Sequence, residues 1–242
     1  GSADAAVMGD APAIIAAASG LEVKIVAAYS PGRNMHRLVA APKSGIEAPA
    51  DLAGKRVGIQ MGSSTHGAFL KYLADNDVNI EKVKLVPLNP ADLPEAMLSG
   101  QIDAGVGSEP WPSNIEERVA KAYQVAVLPG QYPLVMLVTK RYAEEHPEAV
   151  VAALRATREA TAFMNNHPEE AAALISETTG VPTERERKIM DALGWAVTLD
   201  DEDVQSLQET AEFLLSQDKI KQLPDWEKVA DRAFVQQLNA SQ

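Results

Sequence analysis

Gly62, Ser63, Ser64, Thr65 and His66 stand in a row between a short apolar run, RVGIQ, and an amphipathic stretch that continues to Asn76. A strand that feeds a helix through such residues turns backbone N–H groups and hydroxyls into one space, at an end where the helix dipole presents roughly half a positive charge. That combination holds anions. Gly62 lets the backbone come close to a bound group, and the hydroxyls of Ser63, Ser64 and Thr65 donate without bulk. The competing reading is local: Ser63 or Ser64 caps the helix and contributes about 1 kcal/mol to it. His66 either donates to the anion or only covers the first helical turn. The Gly-Lys-Ser/Thr ending of a nucleotide phosphate loop is absent.

Two acids form a second constellation. DAAVMGDAP from Asp4 and DAGVGSEPW from Asp103 share an Asp-Ala-small-Val pattern, and each places an acid six positions after its first Asp: Asp10 and Glu109. Both are expected to cap helices at strand ends. Set near an anion loop, they either suit a ligand that also carries an amine or hydroxyl, or are neutralised by donors of the protein. Trp111 either walls an apolar part of the ligand or packs within the protein. In AYSPGRNMHR, Ser30 is a candidate ligand residue, and Arg33 is either a ligand clamp or, as the better reading, a solvated turn residue. The four histidines are His36, His66, His146 and His167. None is spaced with a carboxylate as metal ligands are, so no metal or cofactor is expected. No serine sits in a nucleophile elbow or beside an evident base.

The elements that must position these residues alternate. β-branched runs at VKIVAAY, HRLVAAP, RVGIQ, VKLVPL, IDAGV, YQVAVL and PLVMLVT predict strands, and the stretches between them carry helical spacing with Gly or Asn at their ends. This is the pattern of α/β units with parallel strands. From about residue 140 the chain predicts only helices, with Pro147, Pro168 and Pro182 at their starts. The strand at Asp103 is delivered by a helix ending at Gly100, whereas the strand at Asp4 has none ahead of it. The first α/β part is therefore expected to lack its opening segment and to expose an open sheet edge.

Composition narrows the class. A 242-residue chain with 46% hydrophobic residues can bury a full core. A formal charge of −12 without a basic cluster argues against nucleic acid as partner. No apolar run approaches the roughly 20 residues of a spanning helix. Cysteine is absent, which excludes disulfides and thiolate sites. No signal peptide is visible, and Gly1-Ser2 reads as a remnant of expression.

ADAAVMGDAPAIIAAASG, DLAGKRVGIQMGSSTHGAFLKYL, LSGQIDAGVGSEPW and the helical tail, in this order, resemble the periplasmic binding proteins of ABC importers for sulfonates, taurine, nitrate and bicarbonate. The resemblance implies a two-lobed α/β fold of the type II binding-protein kind, with hinge strands and a helical C-terminal tail. Residues 1–42 and 133–242 would form the first lobe, without its N-terminal segment, and residues 43–132 the second. It further implies a non-enzymatic protein, periplasmic or extracellular, that closes on a small oxyanion and delivers it to a permease. The oxyanion would be held at Gly62–His66, with Asp10, Ser30, Glu109 and Trp111 as further ligand residues. GSSTH resembles the sulfonate and taurine versions of the loop. The alternative is an enzyme on the same fold, in pyrimidine or menaquinone precursor synthesis. The pyrimidine synthases carry a cysteine-rich motif that this chain lacks. A regulator's sensing domain would need a DNA-binding helix pair, and none is present.

Overall fold

The structure, a computed structural model, describes residues 3–240; Gly1-Ser2, expected to be a remnant of expression, lies outside them. Eight strands form, β1 at the strand expected near Asp4 and the other seven at the β-branched runs: β1 (Ala5–Gly9), β2 (Val23–Ser30), β3 (His36–Ala40), β4 (Arg56–Ile59), β5 (Lys84–Pro87), β6 (Ala104–Ser108), β7 (Tyr123–Val127) and β8 (Leu134–Thr139). The helices among them are α1 (Asp10–Ala18), α2 (Ser64–Asp75), α3 (Leu93–Leu98) and α4 (Trp111–Arg118). After β8 follow α5 (Lys140–Glu145), α6 (Pro147–Asn166), α7 (Pro168–Thr179), α8 (Thr183–Leu193), α9 (Asp201–Ser216), α10 (Trp226–Val229) and α11 (Ala233–Ala240). Pro147 and Pro168 open α6 and α7, where a missing N–H costs nothing, and Pro182 directly precedes α8.

The chain divides into two compact units. The first comprises the chain up to Gly32, Gln131–Ala172 and the chain from Leu193 on. Its sheet has the order β1-β8-β2 and both pairings are antiparallel. α1 and the late helices bury it around Ile14, Ile25, Leu154, Leu207 and Leu238, all fully buried.

The second unit comprises Arg33–Gly130 and Ala173–Ala192 and carries a sheet of order β5-β4-β6-β3-β7. β4 is parallel to β5 and to β6, whereas β3 is antiparallel to β6 and β7. The expectation of parallel strands throughout is thus corrected: the parallel pairs of this sheet are β4 with β5, connected through α2, and β4 with β6, connected through α2, β5 and α3. The boundaries expected for the lobes also differ from this division. β3 hydrogen-bonds between β6 and β7, which places it in the second unit instead of at residues 1–42. α8 departs from the expected first-lobe tail because Arg185 Nη1 donates to the Ser113 carbonyl at the start of α4 (2.5 Å) and pairs with Glu117 (3.2 Å).

Strand alternation assigns the two faces of the five-stranded sheet. His36 reaches Thr65 in α2 on one face, and Val39 packs with Leu93, Met97 and Ile115 of α3 and α4 on the other. Gly58 and Gly105 make this second packing close: a Cβ at Gly58 would lie 2.8 Å from both Ile102 Cδ1 and Leu93 Cδ2, and one at Gly105 would lie 2.8 Å from Ile115 Cδ1.

Candidate ligand-binding site

From β4 the chain crosses through α2 to β5 on one side and returns through α3 to β6 on the other. Right-handed crossovers in opposite directions put these helices on opposite faces, so the connections part at the carboxyl ends of β4 and β6. Open α/β sheets bind ligands in such a crevice. Gly62–His66 follows β4, and Glu109–Trp111 follows β6, so seven of the nine sequence-predicted residues lie at one end of one sheet.

Ser63 is the N-cap of α2. Its Oγ accepts from the His66 N–H (3.3 Å) and donates to the Gln60 carbonyl (2.8 Å), so the capping reading holds for this residue. Gly62 has φ +75°, which favours glycine, and its N–H donates to His66 Nδ1 (3.3 Å). With Nδ1 accepting, a neutral His66 carries its proton on Nε2 and can donate there. Ser64, Thr65 and His66 are all buried in the first turn of α2.

Thr65 Oγ1 lies 3.0 Å from His36 Nδ1. His36 is 1% exposed, and burial pulls its pKa from 6.5 to about 3. This hydroxyl–imidazole pair comes from residues 29 positions apart, so no local motif announces it. An imidazole of such low basicity is a poor general base, and it serves here to hold the first turn of α2.

Arg37, which the sequence reading passed over, organises the other side. Its guanidinium donates to Glu109 (2.6 Å), Glu116 (2.8 Å), Gln124 (2.6 Å) and Ser113 Oγ (3.4 Å). Burial opposes its charge, but the hydrogen bonds and attraction of Glu109 and Glu116 outweigh this and raise its pKa. The signal in the sequence was a charge inside the apolar strand HRLVA, on the face opposite His36. Arg33 is exposed.

Neither expected acidic cap is a cap. α4 has Pro110 as its N-cap, and Glu109, one residue earlier, spends one oxygen on Arg37 while the other accepts from the Ser113 N–H (3.4 Å). Trp111 opens α4 and is half-buried, with Gly107 making room: a Cβ there would lie 3.3 Å from Trp111 Cβ. In the first unit, α1 has Gly9 as N-cap, and Asp10 is its first residue. Fully buried, Asp10 accepts from the Ala11 N–H (2.7 Å) and from Thr210 Oγ1 (2.9 Å). Ser30 donates to the Leu193 carbonyl (2.9 Å) and accepts from the Gly32 N–H (3.0 Å). Gly9 and Ser30 both have Leu134 as register partner, so Asp10 and Ser30 flank the start of β8.

The first unit also holds a cavity of about 750 Å³ at the start of β2. Its lysines are paired within the protein, Lys24 with Asp231 (2.6 Å), Lys140 with Glu22 (3.2 Å) and Lys228 with Asp225 (2.5 Å), which leaves it ill suited to an anion. Among the described residues no helix is long and apolar enough to cross a membrane.

Comparison with known proteins agrees with the fold. An Escherichia coli (strain K12) protein named for binding aliphatic sulfonates is 28% identical over 194 residues, 75% of this chain and 57% of that protein. A Bacillus subtilis (strain 168) protein of the same name is 27% identical over 233 residues, 94% of this chain and 70% of its own length. The chain thus spans little more than half of the first relative. The periplasmic aliphatic sulphonate binding protein SsuA from Escherichia coli superposes with a TM-score of 0.80 at 24% identity, over 96% of this chain and 76% of SsuA. The desulfurization enzyme DSZB has the same fold, with a TM-score of 0.78 at 18% identity over 98% of this chain and 86% of the enzyme. The profile of the NMT1/THI5-like proteins matches residues 1–171, and the chain belongs to the NMT1/THI5-like family.

Proposed function

We propose that this chain belongs to a periplasmic solute-binding protein that captures a small oxyanion, a sulfonate, and presents it to an ABC permease. The observation that carries this reading is the hydroxyl-bearing N-terminus of α2 at the parting of β4 and β6, where the positive end of the helix dipole suits an anion. The names of the Escherichia coli and Bacillus subtilis relatives support a sulfonate as the ligand class. Binding without turnover is favoured over the enzyme alternative because these relatives are named as binding proteins and the cysteine-rich motif of the pyrimidine synthases has no counterpart in this cysteine-free sequence.

A thermal-shift and calorimetric panel of alkanesulfonates, taurine, nitrate and bicarbonate tests this. A ligand at about 100 times its Kd should add roughly 2.7 kcal/mol of stability, and mass spectrometry should recover it unchanged. A flat panel, or consumption of the ligand, would overturn the reading.

A further inference from the structure

The cavity of about 750 Å³ in the first unit has the size of a small-molecule pocket, about 300–1,000 Å³, and the anion site makes no use of it. Three stretches wall it: the end of α1 with the turn 21–24 into β2, α5, and the segment 222–231 around α10. The last of these is tied to β2, because the Asp231 N–H donates to the Ile25 carbonyl (2.9 Å) and Lys24 Nζ donates to the Asp231 carboxylate (2.6 Å). α5 is tied to the turn in the same manner, the Lys140 N–H donating to the Glu22 carbonyl (2.9 Å) and its Nζ to the Glu22 carboxylate (3.2 Å). The walls are thus held within one compact unit. β2 runs eight residues from the cavity at Val23 to Ser30, about 23 Å at about 3.3 Å per residue, so the cavity lies far from the sheet end that Asp10 and Ser30 flank.

Five acids and three lysines line the cavity, a formal charge of −2. Each lysine has a carboxylate of its own, in the pairs Lys24–Asp231, Lys140–Glu22 and Lys228–Asp225. Glu144 and Glu227 are left over: among the described residues no hydrogen bond or ion pair holds either carboxylate. The hydrogen bond and charge of Asp225 raise the Lys228 pKa, and Glu227 adds only a smaller attraction. Leu21 and Leu223, 60% and 43% exposed, stand in the same lining beside the buried Pro224 and Val229. One exposed leucine is ordinary, but two on one cavity give a hydrocarbon chain something to cover. An occupant that answers both features carries a cationic head on an apolar body.

We propose that this cavity is a second ligand site, for a small amphiphilic organic cation: the unpaired carboxylates of Glu144 and Glu227 receive its ammonium group, and its hydrocarbon chain lies on Leu21 and Leu223. Both acids are exposed, so salt screens the attraction. The inference is independent of the anion reading, because it uses no residue of the loop after β4.

Isothermal titration of the full chain with octylammonium chloride at low salt tests it, with thermal melts to check folding. One equivalent should bind, about ten-fold or more tighter than octan-1-ol or ammonium chloride, and its affinity should fall as salt rises. Glu144→Gln combined with Glu227→Gln should weaken binding by about ten-fold, and Leu223→Ser by about three-fold or more. All three residues are exposed, so these variants should fold. Excess butane-1-sulfonate should leave the octylammonium affinity within about two-fold. The inference is overturned if binding does not saturate at one equivalent, if octan-1-ol binds as well, or if the folded double variant keeps the wild-type affinity. Displacement of octylammonium by butane-1-sulfonate would overturn it too, by placing the cation elsewhere. Failure of every sulfonate to bind would sink the anion reading and leave this inference standing.

Discussion

Within the loop after β4, neighbouring hydroxyls have separate tasks. Ser63 is committed to capping α2, so Ser63→Ala should lower stability by about 1 kcal/mol in urea titration and leave ligand affinity within about two-fold. Ser64→Ala should do the reverse: a neutral donor to a charged ligand is worth about 1.5 to 3 kcal/mol, a loss of affinity of ten-fold or more by calorimetry. His36 has a signature in pH. Its folded pKa of about 3 lies below the 6.5 of the free side chain, so the unfolded chain takes up a proton that the folded one refuses. The stability it contributes is fully present above pH 6.5 and is lost as pH falls toward 3. Between pH 6.5 and about pH 5 the loss should be about 1.6 kcal/mol, and His36→Gln should flatten that slope in urea titrations at the two pH values.

At the scale of elements, the site depends on how closely β4 and β6 lie to each other and to α3 and α4. Asp103 joins the two strands at their other end, accepting from the Arg56 backbone N–H (2.8 Å) and from its guanidinium (2.6 Å). The hydrogen bond from the Arg56 side chain is the largest cause that holds the Asp103 pKa below its ordinary value. This stabilisation is present above the usual carboxylate range and lost as pH falls through the lowered value. Asp103→Asn should therefore lower Tm at neutral pH, and the difference from wild type should vanish in strong acid. Packing on the opposite face sets a second expectation. At Gly58 three side-chain ends, from the buried Ile102 and Leu93 and the half-buried Leu88, would have to shift together for a Cβ, whereas at Gly105 the Ile115 end alone lies closer than 3.4 Å. Gly58→Ala should cost about 1–3 kcal/mol in urea, and Gly105→Ala less.

For the whole molecule, charge and sheet edges decide how it meets other copies. β1 is an edge strand, paired among the described residues with β8 alone, and Val7 on it is 57% exposed. The Asp4 carbonyl accepts from the Thr139 N–H, so by alternation Ala5, Val7 and Gly9 turn their backbone groups outward. Neither proline nor lysine protects this edge. The formal charge of −12 repels a second copy at low salt, and salt screens that repulsion. Weak self-association that grows with salt and is suppressed in Val7→Lys is expected in sedimentation experiments. Association unaffected by Val7→Lys would place the contact elsewhere.

The sequence by itself determined the eight strands, the helical tail and the loop Gly62–His66, because alternation, helical spacing and a hydroxyl-rich helix start are local properties. It also brought out the Asp4 and Asp103 echo, which folds as β1-α1 and β6-α4. What the acids of that echo do was not local. Asp10 is answered by Thr210, two hundred positions away, and Glu109 by Arg37, seventy-two positions away, so each is held by a residue that no local pattern pairs with it. The same holds for Thr65 and His36. Strand direction, too, waited on the tertiary structure: the alternating pattern is alike in parallel and antiparallel strands, and only the order in which β4, β5 and β6 assemble creates the crevice where the loop can act.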